Sequence, residues 1–444
     1  MQDKNYEAIK SLTGGEKDKV TFMIENMQHN KAFIYASKNL DKKEKDNLLI
    51  SLQYRYLNYR KNWKGQPKKC FEKGTYYDEN KKKQIDLLCL DLELASICDL
   101  ACPHCFRQSI PTPDKIMSKD LAFRLIDQAS ALNVPSMKFN WRGEPLLNPR
   151  TPEIIEYAKK KGVLETIINT NATMLDEKMS KKIINSGLDL MIYSFDGGTK
   201  KSYEKMRPGR FKENSFKQII QNIKKFADLR KKEKSIFPRT KIQMVLTKET
   251  RTEVKSFFDI FKDCVDDVSL KQYSERGGNI EEISKESRDK ISQKLKNKIS
   301  NLKKDTSLMI DGDDNVFLSN QRLPCEQPFQ RLLVTYDGKV SMCCYDWGVE
   351  HSVGFVDELS IKNNNKEYDK IYKKSKNKEK SFELMNLRKI NNFSNPDKKI
   401  SSINDIWNNQ IINNVRELHL KNKIEDIKIC KNCTFKDTYQ WIKQ

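Results

Sequence analysis

Between residues 85 and 275 short apolar runs alternate with longer segments whose apolar positions recur at helical spacing. The six runs LLCLDLEL, SMKFNW, LETIINT, LDLMIYSF, KIQMVLT and DVSLKQY each end in turn residues. Five helical segments separate them: SKDLAFRLIDQASAL, NPRTPEIIEYAKKKG, DEKMSKKIINSG, ENSFKQIIQNIKKFADLR and TEVKSFFDIFKDC. Repetition of strand and helix predicts an α/β fold, a parallel sheet with helices outside it. Six strands suit a partial (β/α)6 barrel of TIM-like design and are too few for a closed one of eight. In such barrels the chemistry sits on loops at the C-terminal ends of the strands.

The flanks read differently. Residues 1–84 are polar and helical; in KDNLLISLQYRYLNYRKNW a stripe of Leu48, Leu49, Leu52, Tyr56 and Leu57 predicts a helix packed on the main domain. Residues 276–322 read as a polar, largely helical connection. A small C-terminal domain, 323–444, opens with RLLVTYDGKVSMCC, a predicted hairpin turning at Asp337-Gly338. Residues 356–401 are rich in Lys and Asn and poor in apolar residues, which predicts an exposed, mobile insertion. SINDIWNNQIINNVRELHL is helical, and CKNCTFKDTYQW follows it.

Charge adds little to this picture. There are 83 Lys plus Arg against 61 Asp plus Glu, a net +22. The lysines are spread through Asn- and Ile-rich stretches rather than gathered in a stripe, and no aromatic-interleaved platform accompanies them. This argues for compositional bias and against a nucleic-acid partner. No apolar run is long enough to span a membrane, and MQDKNYEAIK has no apolar signal core. The expected location is therefore cytoplasmic. Thiols stay reduced there, so clustered cysteines point to metal binding or catalysis rather than disulfides.

The chain has 11 cysteines, and three fall in CDLACPHC: Cys98, Cys102 and Cys105. They follow the first strand, at the expected mouth of the barrel. A thiolate triplet this tight can wrap one soft metal centre, either zinc or an iron–sulfur cluster. A four-iron cube held by three thiolates keeps one iron open for a ligand.

This CxxxCxxC resembles the signature of the radical S-adenosylmethionine (SAM) enzymes, with His104 at a position that is usually aromatic there. Further resemblances follow in order at strand ends. RGEPLLN (142–148) resembles the family's GGEPLL, with Arg142 in place of the first glycine. NTNAT (169–173) resembles TNGT, SFDG (194–197) resembles SxDG, and RPG (207–209) resembles an arginine turn that meets the SAM carboxylate. The resemblance covers residues 85–275. It implies a [4Fe-4S] cluster on Cys98, Cys102 and Cys105, and SAM held by Gly143, Glu144, Pro145, Asn169, Asn171, Ser194, Asp196 and Arg207. It also implies a reducing electron donor such as flavodoxin or ferredoxin. The chemistry of each side chain agrees: glutamate suits the ammonium, arginine the carboxylate, Ser and Asn the ribose hydroxyls.

A second set lies in the C-terminal domain. Cys325, twelve residues, Gly338, four residues and Cys343 resemble the opening of SPASM and twitch domains, which house auxiliary [4Fe-4S] clusters. Cys430 and Cys433 form CKNC, and the sequence stops eleven residues later with no further cysteine. This implies one auxiliary cluster on Cys325, Cys343, Cys430 and Cys433. Neighbours in a strand face opposite ways, so only one of Cys343 and Cys344 should ligate, and the glycine spacing favours Cys343. A structural zinc remains the alternative for this set. Cys70, Cys89 and Cys264 read as packing residues or free thiols.

Three functions stay open on these residues. One is oxidation of a small, sugar-like alcohol, with the auxiliary cluster accepting the electron. It needs a proton acceptor, for which Lys271, Tyr273, Glu275 and Arg276 at the last strand's end are candidates. Another is modification of a peptide substrate, for instance by thioether formation. Residues 1–84 lack the strand-plus-helix pattern of a leader-binding domain, which favours the small molecule. A third, from another class, is a zinc-stabilised RNA-binding module.

Overall fold

The structure, a computed structural model, describes residues 16–77, 84–108, 112–272, 307–310, 316–319, 323–349, 351–363, 399–431, 433 and 442–443. Six strands alternate with helices as predicted: β1 (Cys89–Leu92), β2 (Ser136–Lys138), β3 (Glu165–Thr170), β4 (Leu190–Ser194), β5 (Arg239–Leu246) and β6 (Asp267–Gln272). All neighbouring pairs among them run parallel, in the order β1-β2-β3-β4-β5-β6. β6 does not return to β1, so the barrel stays open.

The outer layer contains three N-terminal helices, α1 (Glu16–Glu25), α2 (Lys31–Ala36) and α3 (Lys42–Lys73), and the helices that cross between strands. The crossing helices are α4 (Lys119–Ala131), α5 (Thr151–Lys160), α6 (Glu177–Ser186), α7 (Lys200–Met206), α8 (Phe216–Lys232) and α9 (Val254–Phe261). Their apolar faces, such as Leu121, Leu125 and Ile126 of α4, pack on the sheet in one continuous core. Each such side chain contributes about 1.5–3 kcal/mol by leaving water.

The open edge at β1 carries the C-terminal domain. β9 (Arg331–Val334) pairs parallel with β1, and β10 (Lys339–Ser341) and β11 (Ser352–Phe355) extend the same nine-stranded sheet antiparallel. The turn falls at the expected glycine: Gly338 has φ +96°, a conformation that side chains resist. Two helices, α10 (Ile403–Trp407) and α11 (Gln410–Leu420), cover this edge, and a short α12 (Lys428–Lys431) carries Cys430.

Three expectations need correction. Residues 276–322 were expected to be a polar, largely helical connection; of the segment, β7 (Ser307–Ile310) and β8 (Val316–Ser319) are described and form an antiparallel pair, joined by β12 (Ile442–Lys443), and the rest lies outside the described residues. The polar surroundings of these four-residue strands hid them, and β12, the further partner of β8, comes from outside the segment. The expected exposed insertion begins too early at 356: Val356 and Ser360 are buried, and the described part packs against the Gly338 turn. Residues 364–398 lie outside the described residues. In α3, Leu57 is 45% exposed, whereas Tyr56 and Tyr59 are buried. Their hydroxyls donate to the two oxygens of Glu165, at 3.1 and 3.0 Å, at the N-terminal end of β3. The extension thus seals the end of the barrel opposite the strand-end loops. Among the described residues no helix is long and apolar enough to cross a membrane.

Candidate active site

The C-terminal strand ends open into a cavity of 530 Å³, a size suited to a small ligand or cofactor. Its wall includes all three cysteines of CDLACPHC, together with Gly143, Glu144, Asn169, Asn171, Ser194, Asp196 and Arg207. Of the residues the resemblance assigned to SAM, Pro145 alone is not in the wall. It opens a 3₁₀ turn, and its carbonyl accepts from Thr151 Oγ1 at 2.6 Å, so its role is to shape the loop. Lys271 lines the cavity from β6, while Tyr273, Glu275 and Arg276 lie outside the described residues.

The CDLACPHC loop is stitched to the RPG turn. Ala101 N–H donates to Pro208 O at 2.8 Å, and Arg210 N–H donates to Asp99 O at 2.8 Å. Arg207 therefore lies beside the cysteines, where its charge acts on the Cys102 thiol. Burial still pushes that thiol up to about 12 and raises Cys98 as well. Ligation needs thiolates, so the positive charge of a metal centre has to offset the burial. No three His, Cys, Asp or Glu side chains among the described residues are gathered around a single-ion position. The thiols do stand close enough to act on one another, Cys98 with Cys102 and Cys102 with Cys105.

Glu144 is the most constrained group in the wall. Its Oε1 accepts from Leu146 N–H at 3.1 Å and Thr170 Oγ1 at 2.7 Å, and its Oε2 accepts from Asn171 N–H at 2.7 Å. A carboxylate offers about four acceptor directions, so one on Oε2 is left for a ligand. Burial pushes Glu144 up to about 7, with Asp99 adding to the rise against the hydrogen bonds of Asn171 and Thr170. The preceding Gly143 has no room for a side chain. A Cβ there would stand 2.3 Å from Ile97 O and 2.4 Å from Ala95 O.

Arg142, which replaces the family's first glycine, turns away from this loop. Its Nε and Nη2 donate to the two oxygens of buried Glu93 at 2.6 and 2.7 Å, and its Nη1 donates to Trp347 O at 3.1 Å. Glu93 Oε2 also accepts from Tyr336 N–H at 3.2 Å, and Trp141 Nε1 donates to Cys344 O at 2.9 Å. The motif's departure thus fastens the barrel to the C-terminal hairpin. Sequence reading passed over Glu93 and Trp141. The available signal was the pair Asp91 and Glu93 inside an otherwise apolar strand.

Asp196 sits opposite. Its Oδ1 accepts from Val245 N–H at 2.7 Å. Its Oδ2 lies 2.7 Å from Arg207 Nη2 and 3.1 Å from His104 Nε2, contacts of ion-pair type without hydrogen-bond alignment. Burial works to raise this carboxyl, and Arg207 and His104 more than reverse it, holding it well below the usual range. His104, left open between packing and contact by the sequence, lines the cavity. Buried polar atoms in this wall without a hydrogen-bond partner include Asn169 Oδ1, His104 Nδ1 and Arg207 Nε. Orphaned donors and acceptors beside a thiol triplet fit a polar cofactor.

The far wall comes from the C-terminal domain: Gln327, Cys344, Tyr345 and Trp347. The cysteine doublet splits. Cys344 faces the cavity, its Sγ 3.6 Å from Gln327 Oε1. Cys343 is half-buried on the side of Cys325 and Cys430, and desolvation first, then Cys344 and those two thiols, raises its pKa. Cys433 N–H donates to Cys430 O at 3.1 Å.

A family model, the Radical SAM superfamily, matches residues 92–261, and a second, the iron–sulfur cluster-binding SPASM domain, matches residues 325–393. The chain thus carries a radical SAM domain followed by a C-terminal SPASM domain. The two domains imply a [4Fe-4S] cluster and SAM at the barrel and iron–sulfur binding in the C-terminal domain. The chain is 34% identical over 110 residues to a tungsten-containing aldehyde ferredoxin oxidoreductase cofactor-modifying protein of Pyrococcus furiosus, over 24% of this chain and 30% of that protein. It is 34% identical over 101 residues to Fe-coproporphyrin III synthase of Methanosarcina barkeri, over 22% of this chain and 25% of that protein. It therefore spans less than a third of these curated relatives' lengths. A crystal structure of BtrN with AdoMet and 2-DOIA aligns at 16% identity and a TM-score of 0.43, over 80% of this chain and 95% of that chain.

Proposed function

We propose that this radical SAM enzyme oxidises a small, sugar-like alcohol held between the two iron–sulfur sites. The observation that carries the reading is the shared cavity, lined on one side by the SAM motifs and on the other by the loop of Cys344 and Trp347. The wall is rich in hydrogen-bonding groups, including Asn140, Gln243 and Lys138, which suits a polyhydroxylated substrate. Bound here, the first cluster with SAM would supply hydrogen-atom abstraction chemistry at the alcohol carbon, and an auxiliary cluster would supply an acceptor for the remaining electron.

The chain's own residues do the rest. Cys98, Cys102 and Cys105 hold the first cluster. Glu144 meets the SAM ammonium through its open acceptor direction, and Arg207 meets the carboxylate beside Asp196. Asn169, Asn171 and Ser194 meet the ribose. Cys325, Cys343, Cys430 and Cys433 hold the auxiliary cluster. Lys271 is the proton acceptor for the alcohol hydroxyl, with Tyr273, Glu275 and Arg276 as neighbours proposed from sequence. The protein acts in the cytoplasm with a flavodoxin- or ferredoxin-type donor.

Anaerobically reconstituted protein should hold about eight irons and cleave SAM to methionine and 5′-deoxyadenosine under reduction. Replacing Cys98, Cys102 and Cys105 together by Ala should remove about half the iron and all cleavage. With a polyol library, Lys271→Ala should lose carbonyl product yet still cleave SAM. A wild-type enzyme that converts a peptide and no polyol would overturn the alcohol reading in favour of peptide modification.

A further inference from the structure

One buried histidine outside the cavity is left unused by this scheme. His419 lies near the C-terminal end of α11 and is 0% exposed. Its Nδ1 accepts the backbone N–H of Cys325 at 3.0 Å. Its Nε2 stands 3.8 Å from Cys430 Sγ. Phe329 meets the ring edge-to-face at 6.5 Å and helps set its orientation.

These contacts select the tautomer. A backbone N–H can only donate, so Nδ1 is an acceptor and carries no proton. A neutral imidazole with bare Nδ1 carries its proton on Nε2. The Nε2–H is then the donor that faces the Cys430 sulfur. The same ring therefore touches two of the four cysteines assigned to the auxiliary site, one through its backbone and one through its thiol. Those cysteines come from segments far apart in the chain, so a single rigid ring also sets their spacing.

We propose that His419, as its Nε2–H tautomer, donates a hydrogen bond to the Cys430 thiolate of the auxiliary cluster and raises that cluster's reduction potential. This rests on the reading that Cys430 is a ligand of that cluster. Added electron density on a reduced cluster is shared with its sulfur ligands. A donor on such a sulfur stabilises the reduced form more than the oxidised one, one of the ways a protein tunes these centres. The direction suits a cluster that accepts an electron from substrate. His419 is a positioning residue: it acts through Cys430 and does not touch the substrate.

The test uses the full chain with Cys98, Cys102 and Cys105 replaced by Ala, which leaves the auxiliary cluster alone. The expected iron content is about four per chain. Redox titration followed by electron paramagnetic resonance should give a more negative midpoint in H419F, which keeps ring volume and loses both hydrogen bonds. H419Q, whose amide can accept from Cys325 N–H and donate to sulfur, should return most of the shift. Pulsed resonance of the reduced cluster with histidine intact gives a readout that needs no variant to fold. It should show a weakly coupled nitrogen and a proton that exchanges in D₂O. An unmoved midpoint in folded, iron-loaded H419F overturns the proposal, as does absence of the exchangeable proton. A strongly coupled nitrogen would make His419 an iron ligand and overturn it too. A triple variant without iron, from a wild type that holds only the first cluster, overturns the auxiliary-site reading and this proposal with it.

Discussion

Glu144 should make SAM binding depend on pH in a way that one substitution removes. Burial lifts its carboxyl to about 7, so near neutral pH about half of the SAM-free protein carries it protonated. An ammonium group needs the ionised form. The apparent dissociation constant is the intrinsic one divided by the competent fraction. That fraction is about 0.09 at pH 6 and about 0.91 at pH 8 for a pKa of about 7, so affinity should rise about tenfold between them. The sign follows from the direction of the shift. A raised acid holds its proton in the free protein, and binding expels it, so lower pH opposes binding. Glu144→Gln cannot ionise, and its single oxygen can accept either from Leu146 and Thr170 or from Asn171, not from both sides. It should bind SAM more weakly and without the slope. The assay is equilibrium titration of SAM into anaerobic, oxidised enzyme, so that no cleavage intervenes, with buffers matched for proton uptake. A flat wild-type profile, or the same slope in Glu144→Gln, would refute the reasoning.

Three other outcomes follow from the geometry. Gly143→Ala places a methyl 2.3 Å from Ile97 O, which forces the loop before Cys98 to move at a cost of about 3 kcal/mol or more; iron analysis should find the first cluster lost and the auxiliary one kept. Glu93→Gln leaves buried Arg142 without its anion and should lower unfolding free energy by about 3–5 kcal/mol in urea, whereas the double change to Met at both positions should cost less. Cys343→Ser should release about four irons, while Cys344→Ser should retain them, since only Cys343 is turned toward Cys325 and Cys430; equal iron in both variants would count against the assignment.

Much of the barrel was legible because its signals are local. Apolar runs such as LDLMIYSF and the helical spacing in TPEIIEYAKKKG arise from the contacts that each segment makes with the sheet, and each recurs at its element's own period. The same reasoning stumbled where a period was weak. Leu57 fits the stripe by spacing, yet α3 rolls so that Tyr59 is buried and reaches Glu165. The segments at 307–310 and 316–319 are too short and too polar in context to announce a hairpin, and β8 also pairs with distant β12.

The candidate site divides along the same line. Its motifs could be found because CxxxCxxC, RGE and SFDG each lie within a few residues on one strand-end loop. The chain order and the fold class follow from those patterns alone. What the residues do to one another depends on closure of the chain. Glu93 and Arg142 are 49 positions apart, and Arg142 and Trp347 are 205 apart. No local period carries such pairs. The parallel docking of β9 on β1 brings the auxiliary domain over the cavity, separates Cys343 from Cys344 and sets His419 between Cys325 and Cys430. Amino-acid order determined which groups were present and on which strand ends. Tertiary packing decided which of them meet, because burial and distance set charge, tautomer and reach.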